Sequence, residues 1–175
     1  KRKKNLKDSM RISLDSAKNY NNQQALFEGN KNPLNSNRLQ QIEKTTLKRI
    51  DSLIKLRNYK EALENYKTLT LIIPRNINYQ IEKGKIESQL LNFNTSVLTF
   101  AKVLEIQPNN EIARLNRAFS YFNLKKNNEA ILDYTYVIEK LKIERGDIYY
   151  FRALAYFNKK QTVLGCADIN KARTL

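Results

Sequence analysis

The side chains that commonly perform catalysis or bind metals are scarce in this sequence. It contains no histidine, and Cys166 is its only cysteine. A zinc site of cysteine and histidine ligands therefore lacks its parts, and Cys166 has no local base to activate it as a nucleophile. The carboxylates stand singly among lysines, which is the pattern of solvated ion pairs. We predict a protein that is not an enzyme and has no cofactor, with Cys166 as a small buried core residue.

The overall charge is strongly basic, and it is unevenly distributed. The chain has 32 basic and 17 acidic residues, a formal net charge of +15. Residues 1–42 alone carry nine basic and three acidic groups. A field of this sign attracts acidic proteins, nucleic acid or anionic lipid without choosing among them.

The composition favours helices. Among 175 residues there are only four glycines and three prolines, and 41% are apolar. Few turn-forming residues argue against a β fold, and the apolar fraction is enough to bury a core. No apolar run approaches the ~18 to 20 residues that a membrane span needs.

One short sequence motif occurs twice near the C-terminus. Arg117-Ala118 followed by Tyr121-Phe122-Asn123 returns 35 residues later as Arg152-Ala153 followed by Tyr156-Phe157-Asn158. Further back, Pro74 and Pro108 stand 34 residues apart, each after an apolar run. Self-similarity at this period predicts stacked helical hairpins.

The apolar spacing predicts the helices of these hairpins and the turns between them. A long helix is expected from the N-cap residues Asn35-Ser36 to about Arg57, and a second from Tyr59 to about Ile73. Three more pairs follow, with turns at Asn92/Asn94, at Asn127-Asn128 and after Asn158. We expect asparagine to form these corners because it tolerates left-handed backbone angles.

The chain is predicted to divide into an arm and four repeats. Residues 1–42 form a basic arm, in which Leu6, Met10, Leu14 and Ala17 share one helical face and suggest a short capping helix. The predicted repeats are residues 43–76, 77–110, 111–145 and 146–175.

Residues 43–175 resemble the tetratricopeptide-repeat family. Small residues recur where paired helices cross, as in Gly84 with Ser96 and Ala118 with Ala130, and aromatics recur at Tyr66, Phe100 and Tyr134. The second repeat departs from the pattern, with Glu87 where the family has an aromatic residue. The resemblance implies an all-α fold, a right-handed superhelical array of antiparallel helix hairpins.

The resemblance also implies a concave groove, lined by the first helix of each repeat, that binds a peptide or helix of a partner protein. The candidate groove residues are Lys55, Lys85, Gln89, Leu115, Phe119, Phe122, Asn123, Tyr150, Leu154 and Asn158. Such a groove suits a peptide with an apolar anchor and acidic groups, whose backbone the Asn123 and Asn158 amides would hold. The alternative is that the apolar members simply pack between neighbouring first helices.

Other partners remain open at this stage. The chain is alternatively an RNA-binding or other nucleic-acid-binding helical-repeat protein that uses its basic N-terminal half, although no base-reading pair recurs across the repeats. Val163, Leu164 and Ile169 in the final hairpin have no obvious cover, so we expect either further chain in the native protein or another molecule there, for example a second copy in self-association through that edge. The compartment is left open by the sequence: cytoplasmic or, if a leader was removed ahead of Lys1, periplasmic or envelope-associated.

Overall fold

The computed structural model describes residues 33–175, which form eight α-helices and no strand. None of these helices has the length and apolarity to cross a membrane. The predicted capping helix with Leu6 and Met10 lies outside the described residues. The helices are α1 (Pro33–Lys55), α2 (Tyr59–Ile72), α3 (Ile77–Gln89), α4 (Phe93–Ile106), α5 (Glu111–Asn123), α6 (Asn127–Glu139), α7 (Gly146–Asn158) and α8 (Thr162–Arg173).

The chain divides into two units, residues 1–45 and residues 46–175. In the second unit each helix from α2 to α8 packs on the next one along the chain. Connections of a few residues leave consecutive helices no choice but to run antiparallel. We call α1 with α2 the first hairpin, α3 with α4 the second, α5 with α6 the third, and α7 with α8 the fourth. The all-α fold predicted from the sequence is confirmed.

Each hairpin turn has the same backbone hydrogen bond and one residue in the left-handed conformation, and that residue is not asparagine. The left-handed residues are Arg57, Leu91, Lys125 and Lys160, with φ between 57° and 61°. The next amide in each turn donates to the carbonyl five residues back, as Asn92 N does to Glu87 O at 2.8 Å. This is the bond pattern that ends a helix on a left-handed residue. The prediction that asparagine forms these corners is therefore wrong.

Asparagine instead starts helices. The side-chain oxygen of Asn58 accepts from the Glu61 amide at 3.3 Å, and that of Asn110 accepts from the Ala113 amide at 2.9 Å. Asn127, by contrast, is already the first residue of α6. A short side-chain acceptor satisfies an amide that has no partner inside the helix, which explains why asparagine recurs beside the turns.

Small residues let the two helices of a hairpin approach closely. Ala118 and Ala130 are fully buried, and Ser96 Oγ donates to the carbonyl of Gly84 at 3.1 Å. A Cβ atom added at Gly84 would lie 2.8 Å from Cζ of Phe100, closer than real contacts allow. The predicted small pairs are confirmed as packing positions.

Aromatic side chains fill the space between one hairpin and the next. Tyr66, Phe100 and Tyr134 are 6%, 0% and 2% exposed. Tyr66 meets Tyr79 of the next hairpin with ring centroids 6.5 Å apart. Tyr134 lies in one buried cluster with residues of the third and fourth hairpins, among them Ile148. These repeated rings join separate hairpins into one array.

The position of Cys166 contradicts the sequence prediction. Its side chain is exposed on α8, whereas Gly165 beside it is buried. Only α7 packs on α8 among the described helices, so only one side of α8 is covered. A helix with one packed side buries one stripe of residues, and Cys166 lies outside that stripe.

Candidate peptide-binding groove

The first helices of the hairpins form the inner side of the array. Helix α3 contacts α5, and α5 contacts α7, although each pair is separated by a complete second helix. The second helices α4, α6 and α8 make no such contacts with one another in the described part of the chain. Because the first helices approach each other more closely, the array curves with those helices inside. We call the solvent-facing side of α3, α5 and α7 the inner face.

Aromatic rings connect neighbouring hairpins at this face. Phe119 on α5 lies edge-on to Phe93 at 6.3 Å and to Phe151 of α7 at 6.0 Å between ring centroids. Tyr150 is edge-on to Phe151 at 5.6 Å. Phe119 is 36% exposed and Tyr150 is 47% exposed, so both rings also face solvent. Ile112, about two helix turns before Phe119 on α5, is 50% exposed. We call Phe93, Phe119, Tyr150 and Phe151 the aromatic row.

The sequence-predicted groove residues fall into two groups. Exposed members are Lys55, Lys85, Gln89, Phe119, Tyr150 and Asn158, and half-buried members are Leu115, Phe122, Asn123 and Leu154. Leu115 and Phe122 pack against the buried cluster around Ala118 and Tyr134. These two side chains therefore contribute to the buried core that the third and fourth hairpins share.

The two asparagine amides already have partners inside the protein. Asn123 Nδ2 donates to the carbonyl oxygen of Phe119 at 2.8 Å. Asn158 Nδ2 donates to Asn127 Oδ1 at 3.2 Å. An amide group has two donor hydrogens and one acceptor oxygen, so each asparagine keeps a donor and its oxygen for a guest. The internal bonds fix the orientation of both amides before any ligand arrives.

The two lysines among the candidate groove residues differ in whether they form an ion pair. Lys85 Nζ pairs with Glu82 Oε1 at 2.7 Å on the same helix, whereas Lys55 has no ion pair with any described residue. An acidic group on a ligand would compete with Glu82 for Lys85. Exposed pairs of this kind contribute about 0.3 to 0.5 kcal/mol, so the competition is weak.

Sequence reasoning missed two members of the aromatic row. Phe93 starts the second helix of its hairpin and Phe151 stands next to Tyr150, so neither belongs to the predicted stripe of first-helix positions. The run Tyr149-Tyr150-Phe151 was the available signal, because three consecutive aromatics on one helix must face different sides.

Two other questions about residues 33–175 concern metal binding and the exposed apolar side chains of α8. No group of three or more acidic or cysteine side chains that could hold a metal ion occurs there. Val163 and Leu164 are 84% and 47% exposed on α8, while Ile169 is half-buried. Self-association through this edge stays a prediction.

Solved structures share this arrangement of helices. A MamA fragment from Desulfovibrio magneticus RS-1 superposes with a TM-score of 0.70 at 21% identity, over 75% of this chain and 73% of that one. A tetratricopeptide repeat protein from Parabacteroides merdae ATCC 43184 gives 0.67 at 19% identity, over 75% and 52% of the two chains. The fold is of the tetratricopeptide-repeat type. A further MamA crystal structure gives 0.68 at 15% identity over 94% of this chain and 85% of that one.

Comparison by sequence finds no match, in contrast to comparison by structure. No protein-family model matches the chain, and no curated protein matches it. At identities of 15% to 21% the shared fold is carried by spacing and side-chain size rather than by residue identity.

Proposed function

We propose that this tetratricopeptide-repeat-type array is a non-catalytic interaction scaffold, which binds a peptide or helix of a partner protein along its inner face. The observation that carries the proposal is the exposure of large apolar side chains on that face. Ile112, Phe119 and Tyr150 are 50%, 36% and 47% exposed on two neighbouring first helices. Large apolar and aromatic groups in a concave surface are the usual anchors of a protein interface.

The polar groups around these anchors suggest the chemistry of the guest. Asn123 and Asn158 lie at the C-terminal ends of the same two helices, α5 and α7, and each keeps amide atoms for a peptide backbone. Lys85 and Gln89 lie exposed on α3, so an acidic residue of the guest would meet a basic side chain there. The preferred guest therefore has an aromatic or aliphatic anchor followed by an acidic group.

A displayed library of random peptides tests this proposal without knowledge of the natural partner. Peptides enriched on the full chain are expected to combine an apolar anchor with aspartate or glutamate. Tyr150→Ala should weaken the binding of such a peptide by about tenfold or more, because truncation of an interface anchor costs more than ~1 kcal/mol. Isothermal titration calorimetry gives the affinities.

Leu132→Ala is the matched control. Leu132 is 69% exposed on α6, a second helix, and so lies away from the inner face. Its truncation should leave peptide affinity within about twofold, the effect expected outside an interface anchor. The proposal is wrong if Tyr150→Ala binds the enriched peptides as tightly as the unmodified chain, or if both variants lose affinity equally.

A further inference from the structure

The four turns inside the hairpins lie along one edge of the array. In a row of antiparallel helices, connections alternate between two edges, so the turns after α1, α3, α5 and α7 share one of them. The bond from Asn158 Nδ2 to Asn127 Oδ1 at 3.2 Å joins the fourth turn to the first residue of α6, directly after the third turn. We call residues 55–58, 90–92, 124–126 and 158–161 the turn edge.

The turn edge carries only positive charge. Its basic side chains are Lys55, Arg57, Lys125, Lys126, Lys159 and Lys160, and all six are exposed. No aspartate or glutamate occurs in its four segments. None of the six forms an ion pair with a described residue, so their charge is directed to solvent.

The opposite edge is different because its charges are balanced. Arg145 pairs there with Glu111 at 2.8 Å, and Lys171 pairs with Glu144 at 3.3 Å. Exposed Glu105 and Glu139 accompany the remaining basic residues of that edge. The six basic side chains of the turn edge, by contrast, have no ion-pair partner among the described residues, although the Glu61 carboxylate lies beside them and accepts from Asn58 Nδ2 at 3.0 Å.

Two leucines project from the turn edge into solvent. Leu56 is 77% exposed and Leu91 is 73% exposed. Leu91 also has a left-handed φ of 61°, a conformation that glycine or asparagine would adopt at lower cost. The third and fourth turns have Lys125 and Lys160 at the position of Leu91. A strained, exposed leucine at this position is therefore an outlier that calls for a functional explanation. Exposure alone does not distinguish the edge, because Ile106 at the opposite edge is 63% exposed.

We propose that the turn edge binds the surface of a membrane that contains anionic lipid. Lysines held beside exposed leucines match such a surface, because the cations attract acidic headgroups while the leucines enter the boundary of the acyl region. A nucleic acid fits less well. Single strands are bound by stacking of their bases on aromatic rings in addition to cations at the phosphates, whereas the turn edge has no aromatic residue.

Flotation with lipid vesicles tests the proposal on the full chain. The probes are vesicles of phosphatidylcholine alone and of phosphatidylcholine mixed with phosphatidylserine, at physiological salt. Binding is expected only to the mixed vesicles. Lys125→Gln/Lys126→Gln should lower the partition coefficient by about thirtyfold, because each lysine near an anionic surface contributes about fivefold. Leu56→Ser/Leu91→Ser should lower it by about tenfold or more.

Matched variants at the opposite edge control for net charge and for apolarity. Lys140→Gln/Lys142→Gln removes the same charge from exposed lysines, and Ile106→Ser removes an exposed apolar side chain. Both should leave the partition coefficient within about twofold, since neither site would face the lipid. Circular dichroism and thermal melting confirm that all variants fold alike.

Three results would overturn the proposal. The first is an equal loss of binding for the turn-edge and opposite-edge lysine pairs, which would indicate unspecific attraction by a basic chain. The second is no binding to the mixed vesicles. The third is gel-shift binding of single-stranded RNA that depends on Lys125 and Lys126 while the vesicles stay free, which would make nucleic acid the ligand of this edge.

Discussion

The second and third hairpins differ in the polar residues at the crossing of their two helices. The third hairpin has Arg117, Tyr121 and Asp133 there. The second hairpin has Lys83, Glu87 and Thr99 at the same repeat positions. In the third, Asp133 is 3% exposed and accepts from Nε and Nη2 of Arg117, both at 2.8 Å. These hydrogen bonds raise the pKa of Arg117 above its usual value. The fourth hairpin repeats the arrangement with Arg152 and Asp168, at 2.7 and 2.8 Å.

The second hairpin puts its carboxylate on the other helix. Glu87 on α3 accepts from the Thr99 hydroxyl at 2.7 Å and lies 3.9 Å from Lys83 Nζ. Burial lowers the pKa of Lys83, which Glu87 partly offsets. The second hairpin thus has Glu87 where the third has the aromatic Tyr121, and Thr99 where the third has Asp133. The buried carboxylate has moved from the second helix of the hairpin to the first. The comparison teaches that this crossing requires a satisfied polar set, whichever helix supplies the carboxylate.

The largest effect should come from removing the carboxylate of the third hairpin. Asp133→Ala leaves Arg117 and Arg114 without their shared partner at a buried site, which is expected to cost about 3 to 4 kcal/mol of unfolding free energy. Thr99→Val in the second hairpin removes one hydrogen bond and should cost about 1 kcal/mol. Urea denaturation followed by circular dichroism measures both.

A graft between the hairpins makes this comparison sharper. Lys83→Arg with Glu87→Tyr and Thr99→Asp installs the equivalents of Arg117, Tyr121 and Asp133 in the second hairpin, while Gln80 stays at the position of Arg114. The triple variant should be more stable than Thr99→Asp alone, which places a second carboxylate beside Glu87. If Thr99→Asp alone is as stable as the triple variant, the polar sets are not interchangeable units.

A smaller effect is expected at the aromatic position shared by the two hairpins, which is Phe100 in the second and Tyr134 in the third. The Tyr134 hydroxyl is buried and has no hydrogen-bond partner among residues 33–175. Tyr134→Phe should therefore raise the unfolding free energy by about 1 kcal/mol at neutral pH. Phe100→Tyr, the reverse change, should lower it. A loss of stability in Tyr134→Phe, seen by urea denaturation, would reveal an unrecognised partner of the hydroxyl.

The same substitution should change the response to alkali. Burial raises the pKa of Tyr134 above the usual value of 10.0 and that of Tyr66 to about 12. Because the folded state favours the neutral phenols, their contribution is complete below about pH 10 and is lost as the pH rises above it. Tyr134→Phe should make stability fall less steeply from about pH 10, the unfolded-state pKa, upward. Tyr66→Phe should reduce the slope further.

The smallest effect concerns the turn of the second hairpin, which has Leu91 where the third has Lys125. Leu91 adopts a φ of 61° and is 73% exposed, so Leu91→Gly relieves backbone strain without removing core contacts. We expect a gain of about 0.5 to 1 kcal/mol in unfolding free energy. Leu56→Gly is the control, since Leu56 is equally exposed but is not left-handed, and it should give no gain. Equal effects of the two substitutions would mean that the strain argument is wrong.

Particular residues show how far sequence reasoning reached. The pairs Gly84 with Ser96 and Ala118 with Ala130 were predictable, because a crossing of two helices admits only small side chains. Asn92 and Asn127 were predicted to form the turns, and neither has a left-handed backbone, since a helix start and a left-handed turn draw on the same residue types. For the groove, exposed Tyr150 was predicted, whereas its contact with Phe151 and the internal bonds of Asn123 depend on how neighbouring hairpins nest.

The sequence by itself determined that the chain forms repeated helical hairpins, because a period of 34 or 35 residues with small and aromatic residues at fixed positions is a local property of each repeat. Only the tertiary structure decided which polar groups pair across a crossing, that Cys166 is exposed, and that the unpaired basic residues of separate turns lie along one edge. These outcomes depend on distances between residues of different helices. Such distances are fixed by packing, which spacing along the chain constrains but does not specify.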